Sequence, residues 1–221
     1  MSIDMNDHGS APAPPGGPRP GSVLAVMAHP DDAELWAGGT LALHARAARV
    51  TIAVPRNAAD RMAEAEAGAR ILGAHLHVLD TDRIVAEIQE LLIGLYPEIV
   101  VTHPLADVHP RHRRVAAAVL EALPQAVLTS GRPHRVYTCD SYNSLTVDGP
   151  VRATAIVDVT TTFDVKLRAL CAHGGTQPIS EEFGPMAENL GRLWGARIGV
   201  AYAEGFMALP VLGRLPSVTC L

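Results

Sequence analysis

The sequence predicts an α/β fold, a Rossmann-like doubly wound sheet that is mostly parallel and carries helices on both faces. Three observations predict it. Short runs rich in valine and isoleucine alternate with helical patterns of roughly 10–15 residues, the signature of βαβ units. The chain has 221 residues, 48% of them hydrophobic and 19% charged, enough apolar material for one substantial core. Polar segments crowd the ends of two of the apolar runs, where ligands bind in sheets of this kind.

Residues 1–22 are rich in Pro, Gly and Ser with almost nothing to bury, so a disordered arm is expected there and a single domain over residues 23–221. Val23–Met27 reads as the first strand, followed by a helix through Thr40–Ala48. Val50–Val54 and Ala58–Leu72 form the next strand and helix, then Ala74–Leu79 and Arg83–Leu95, then Glu98–Thr102 and His112–Ala122. The second half is less regular. Arg135–Cys139 and Ala153–Val159 read as strands, Thr161–Ala172 and Met186–Val200 as helices, and Glu204–Leu209 as a last strand.

Composition excludes several classes. A formal net charge of −5 offers no basic field for nucleic acid. No stretch reaches about 18 uninterrupted apolar residues, and the first residues lack the pattern of a secretory signal, so a protein of the cytoplasm without membrane partners is expected. Cys139, Cys171 and Cys220 are widely spaced and contain no Cys-x-x-Cys pair, which supports neither a disulfide framework nor a cysteine zinc site.

Chemistry concentrates in two segments. Ala28-His29-Pro30-Asp31-Asp32-Ala33-Glu34 follows the first strand and is closed by Gly38-Gly39-Thr40. His103-Pro104-Leu105-Ala106-Asp107-Val108-His109-Pro110-Arg111-His112 follows the fourth. Neighbouring parallel strands would bring both to one edge. Two histidines and a carboxylate, without cysteine, suit a catalytic divalent metal that keeps a position open for water, and a second adjacent carboxylate can serve as base. The same ligand types occur in non-haem iron oxygenases, and a sugar-binding protein that keeps the ligands without turnover is the non-enzymatic alternative. His103 reads equally as a neighbour of the site or as loop, and His75 and His77 as strand residues. Gly38-Gly39-Thr40 reads as close helix packing in preference to a phosphate cradle, and Tyr142 and Asn143 as candidates for the pocket mouth.

The segment AHPDDAELWAGGT, with HPRH downstream, resembles the zinc-dependent N-deacetylases of the LmbE-like (PIG-L) family. The resemblance extends through Arg61-x-x-Glu64, the stretch Pro97–His103 and Tyr202-Ala203-Glu204-Gly205-Phe206. It implies one zinc ion per chain, with Fe2+ as an alternative, held by His29, Asp32 and His112. Asp31 would be the general base, and His109 would assist the oxyanion or the leaving amine. The implied substrate is an N-acetylglucosamine-type amino sugar on a small carrier in bacterial secondary or thiol metabolism; the alternatives are amides of thiol or glycosylated natural-product conjugates. Arg61, Asp107 and Arg111 are candidates for substrate contacts, and homo-oligomers are common among relatives. The chain departs from the family pattern at Arg111, where an acid commonly separates the two histidines. It departs also in the short loop between Val54 and Arg61, and at Ala172-His173-Gly174-Gly175-Thr176-Gln177, one residue longer than the family's Ala-His-x-Ser-Gln.

Overall fold

A computed structural model describes residues 21–215. Residues 1–20 of the expected arm, and residues 216–221 with Cys220, lie outside the described residues. In chain order the elements are β1 (Val23–Val26), α1 (Asp32–Ala45), β2 (Val50–Pro55), α2 (Ala59–Leu72), β3 (His75–Leu79), α3 (Ile84–Leu95), β4 (Ile99–Thr102), α4 (Pro110–Ser130) and β5 (Arg135–Thr138). They continue with β6 (Leu145–Thr146), β7 (Gly149–Pro150), β8 (Ala155–Asp158), α5 (Phe163–Cys171), α6 (Gly184–Ile198) and β9 (Ala203–Leu209).

Seven strands form one sheet in the order β3-β2-β1-β4-β5-β9-β8, and β6 and β7 form a separate hairpin. The first five strands are parallel, while β9 runs antiparallel to both β5 and β8. β1 is apolar on both faces. Val23, Ala25 and Met27 enter one core with α1, α2, α5 and α6, whereas Leu24, Val26 and Ala28 enter the other with α3 and α4. This double burial is what a central parallel strand requires. The chain winds outward from β1 to β3 and then returns to place β4 on the other side of β1. The crevice beyond β1 and β4 is therefore the topological switch point.

Two helices differ from the sequence expectation. α1 begins at Asp32, eight residues before Thr40, and runs through Gly38 and Gly39 because its neighbours leave no room for side chains there. A Cβ on Gly39 would lie 2.6 Å from Val159 Cβ, and one on Gly38 would lie 3.0 Å from Lys166 Cγ. α4 does not stop before Pro124. Its buried face continues from Val115, Val119 and Ala122 to Ala126, and the helix ends only at Gly131, whose φ of 76° caps it.

A buried ion pair fixes α1 from the far side of the fold. Glu204 on β9 accepts hydrogen bonds from Gly39 N at 3.0 Å and Thr40 N at 2.8 Å, and Lys166 Nζ on α5 lies 2.6 Å from its Oε1. Lys166 is the chain's single lysine.

Candidate active site

Short strand ends and helix starts place the polar residues. β1 ends at Val26, and the turn that follows carries His29 and Asp31 before Asp32 opens α1. β4 ends at Thr102, whose hydroxyl donates to Val26 O at 3.0 Å and so joins the two strand ends. His109 is the N-cap of α4, and Pro110 stands in its first turn, which suits the missing N–H of proline. His112 then faces inward one turn along.

Three groups meet at close range. His29 Nδ1 lies 3.1 Å from Asp32 Oδ2 and 3.1 Å from His112 Nε2, while His112 Nε2 lies 3.4 Å from Asp32 Oδ1. A tetrahedral ion with bonds of about 2.0–2.1 Å separates its ligand atoms by roughly 3.3–3.4 Å, so the three donors fit such an ion. Two overlapping triplets, His29–His109–His112 and Asp32–His103–His112, also keep their donor atoms within 4.8 Å of one another. The cluster is thus a candidate metal centre.

Hydrogen bonding separates the members of these sets. His103 is fully buried, stacks on His112 at 3.8 Å, and its Nε2 accepts the Ala28 N–H at 3.0 Å. That nitrogen also lies 3.2 Å from Asp32 Oδ2, so His103 walls the carboxylate from behind. His109 Nδ1 accepts the Arg111 N–H at 3.2 Å, which leaves Nε2 as the uncommitted nitrogen of a ring whose centroid lies 4.7 Å from those of both His29 and His112. Trp36, one helical turn beyond Asp32, donates its indole N–H to Asp32 Oδ1 at 3.2 Å.

Asp107 is completely buried. Its Oδ1 accepts the His109 N–H at 2.7 Å and its Oδ2 lies 3.1 Å from His112 Nδ1, the arrangement by which a carboxylate orients a metal-binding imidazole. Arg111 is exposed and meets the site through its backbone alone. Arg61, in the first turn of α2, donates from Nη2 to Asp31 Oδ1 at 2.7 Å. Tyr142 stacks over His112 with centroids 5.9 Å apart, and Asn143 beside it is exposed with φ of 52°. His75 and His77 lie on β3, and His77 meets Glu87 on the adjoining helix.

The electrostatics follow from burial opposed by partners. Burial pushes the Asp31 carboxyl above its ordinary range and the neighbouring Asp32 adds to this, while the Arg61 guanidinium opposes both. Burial acts upward on Asp32 too, but the rings of His103, His112 and His29 hold it well below the usual carboxylate range. Burial alone would lower His112; the carboxylates of Asp107 and Asp32 prevail and raise it to about 9. His109 is lowered by burial and by His112 and His29 beside it.

A further layer escaped the sequence reading. Glu34 and His173 are both buried, with His173 Nε2 3.7 Å from Glu34 Oε2, beneath the Asp31 side of the site. Glu64 accepts the Thr176 hydroxyl, and a Cβ on Gly175 would lie 2.6 Å from Glu64 Oε1, so α2 clasps the 172–177 loop. Arg61-x-x-Glu64 thus serves two contacts from one helix face, Asp31 and the loop. The spacing of Trp36 four residues after Asp32 was the legible signal for its role; nothing local marks His173 as a partner of Glu34.

Residues 24–123 match the family model described as PIG-L: GlcNAc-PI de-N-acetylase. Among solved structures, the N,N'-diacetylchitobiose deacetylase of Pyrococcus horikoshii is similar at 23% identity and a TM-score of 0.72, over 86% of this chain and 84% of that one. A conserved protein from Thermus thermophilus is similar at 24% identity and a TM-score of 0.72, over 90% and 99%. A teicoplanin deacetylase in its zinc-inhibited form is similar at 15% identity and a TM-score of 0.66, over 85% and 97%. These likenesses establish a shared fold. Among the described residues no helix is long and apolar enough to cross a membrane.

Proposed function

We propose, from the match of residues 24–123 to the family model described as PIG-L: GlcNAc-PI de-N-acetylase, that the chain is a metal-dependent N-deacetylase acting on an N-acetylglucosamine-type amino sugar borne by a small-molecule carrier. The observation that carries the reading is the convergence of His29 Nδ1, the Asp32 carboxylate and His112 Nε2 at 3.1–3.4 Å, with a second carboxylate, Asp31, beside them.

His29, Asp32 and His112 would hold the ion, since the His103 Nε2 lone pair is committed to Ala28 and Asp107 orients His112. A divalent metal bound there supplies Lewis acidity, making water more acidic and polarising an amide carbonyl. Asp31 is the base that takes the proton from the attacking water. Arg61 fixes its orientation at 2.7 Å, and its upward shift matches proton exchange nearer neutral pH. His109 is a neutral donor: with Nδ1 committed to the Arg111 N–H, its ring carries the proton on Nε2. That N–H, on a ring packed against His29 and His112, would meet the oxyanion that develops at the amide oxygen. Asp31, having taken a proton, returns it to the departing amine.

The names of the family model and of two neighbouring structures, deacetylases of GlcNAc-PI, diacetylchitobiose and teicoplanin, support an amino-sugar amide. The test is metal analysis of the purified protein with amine release measured on a panel of N-acetylglucosamine derivatives. About one zinc ion per chain and release that a chelator abolishes are expected; zinc without release on any derivative refutes the substrate class, and absence of metal affinity refutes the site.

A further inference from the structure

We propose that a cavity beside the histidine cluster is an aglycone subsite, taking a neutral apolar ring or short alkyl group attached to the amino sugar; the proposal rests on the deacetylase reading. The cavity measures about 340 Å3, and its walls are chiefly Pro104, Leu105, Ala106, Pro150, Val151 and Met207. Its volume lies at the lower end of the range for small-molecule sites, roughly 300–1,000 Å3, which suits one ring or a short chain.

Topology puts the cavity against the reacting groups. The segment after β4 turns His103 and Asp107 toward the cluster, and Pro104–Ala106 between them line the cavity. The β6–β7 hairpin closes on the same segment: Val147 N donates to Ala106 O at 2.9 Å, and Thr146, another wall residue, pairs with Asp107. One stretch of chain therefore separates the two spaces.

The surface around the cavity is also apolar. Leu105 and Val108 are each 44% exposed, Leu145 49% and Val147 65%, four of the eleven exposed large apolar side chains among the described residues, all on these two loops. Apolar side chains gathered on a rim mark a binding surface more often than they occur by chance. Asp148 and Arg152 border the cavity with opposite charges, so neither an anion nor a cation is favoured.

The position selects the aglycone over the acyl group. The acyl carbon is bonded to the reacting carbonyl, which must lie among His29, Asp31 and His109. The methyl of an acetyl group lies one bond from that carbonyl, so a group seated beyond the Asp107 segment is one carried elsewhere on the sugar.

The experiment measures kcat/KM of the metal-loaded enzyme on methyl, propyl, butyl and hexyl N-acetylglucosaminides, alongside methyl glucosaminides with lengthening N-acyl chains. A rise of about fourfold per methylene is expected along the alkyl series until the cavity fills, the gain for transfer of each methylene from water. Leu105→Gln, at an exposed wall position, should flatten that rise, and Ala106→Phe should abolish it by filling the space; methyl glycoside turnover serves as the reference. A flat alkyl series, an unchanged slope in both variants, or a gain that follows the acyl chain instead overturns the proposal. If the cavity is covered by a second copy, the alkyl series is flat and Leu105→Glu dissociates an oligomer in sedimentation, which also overturns it. Should no glycoside be hydrolysed, the deacetylase reading fails by itself; dissociation constants of the same glycosides from calorimetry then decide the subsite, tightening with length in its favour and invariance against it.

Discussion

Replacing Lys166 by methionine isolates the ion pair that ties α5 to β9, whose Glu204 also holds α1 through Gly39 N and Thr40 N. The side chains of Lys166 and Glu204 are only 4% and 3% exposed, and Nζ and Oε1 lie 2.6 Å apart. Removing one partner of such a pair costs about 3–5 kcal/mol, because the remaining charge stays buried without compensation. Glu204 keeps its bonds from Gly39 N and Thr40 N at 3.0 and 2.8 Å, which places the expected loss at the lower end, about 3 kcal/mol. For a domain of this size that corresponds to a fall of roughly 6–12 °C in Tm. Urea unfolding followed by far-UV circular dichroism reads it as a lower midpoint at constant slope. Lys166→Met combined with Glu204→Gln should lose less than the sum of the single variants, since the two side chains share one interaction. A Lys166→Met variant within about 0.5 kcal/mol of the parent, the range of ordinary surface changes, would refute the reasoning.

Asp31→Asn keeps an oxygen for Arg61 but cannot accept a proton, so kcat should fall by about 10²–10⁴ while metal content, read by elemental analysis, stays at the parent level. His112→Ala should lose the metal itself. Arg61→Ala removes the charge that lowers the Asp31 pKa, so the acidic limb of kcat/KM should move to higher pH; a limb that stays in place or moves down contradicts the pairing. His112 titrates at about 9, so an ion binding below that pH must expel its proton, and apparent affinity should rise about tenfold per pH unit toward 9 and then level. Calorimetry in buffers of different ionisation enthalpy counts the proton, and uptake without release contradicts the assignment. Asp107→Asn should shrink that proton release and weaken metal binding by about 10–100-fold, while the Asn oxygen still accepts from His109 N.

The parallel half of the sheet was readable because β1, β2 and β4 are short, largely apolar runs buried on both faces, each followed by a helix-length segment. The ends of α1 and α4 were not. Gly38, Gly39 and Pro124 carry local signals against helix, and tertiary contact overrules them: Val159 and Lys166 press on the glycines, and the buried stripe of α4 runs past the proline. The β6–β7 hairpin spans only two short strands joined through Val147 and Asp148, with Gly149 after them at φ of 109°, too brief for an alternating pattern to register. In the site, residue types pointed to two histidines and a carboxylate on two loops, the family resemblance implied His29, Asp32 and His112, and the structure brings these three side chains together. The partners behind them come from distant segments. Glu34 and His173, or Asp32 and His103, are joined only by the packing of separate loops, for which a single sequence holds no periodic signal.

Position 111 shows how the structure changes a chemical reading without moving a residue. An acid between the two histidines would sit beside His109 and favour its charged ring. Here the Arg111 side chain is exposed, and only its N–H reaches His109, at Nδ1. The buried carboxylate nearby, Asp107, was expected to line the substrate mouth, yet both of its oxygens face inward, toward the His109 backbone and the His112 ring. The charge that would have activated His109 is therefore spent on holding His112. The two histidines of one motif consequently differ: His112 is the charge-supported imidazole at the cluster, and His109 is held toward its neutral form by burial and by the His112 and His29 rings, with Nδ1 taken by a backbone donor and its proton on Nε2. On this geometry a cation at position 111 does no damage, because that position contributes a peptide N–H, which any residue but proline supplies.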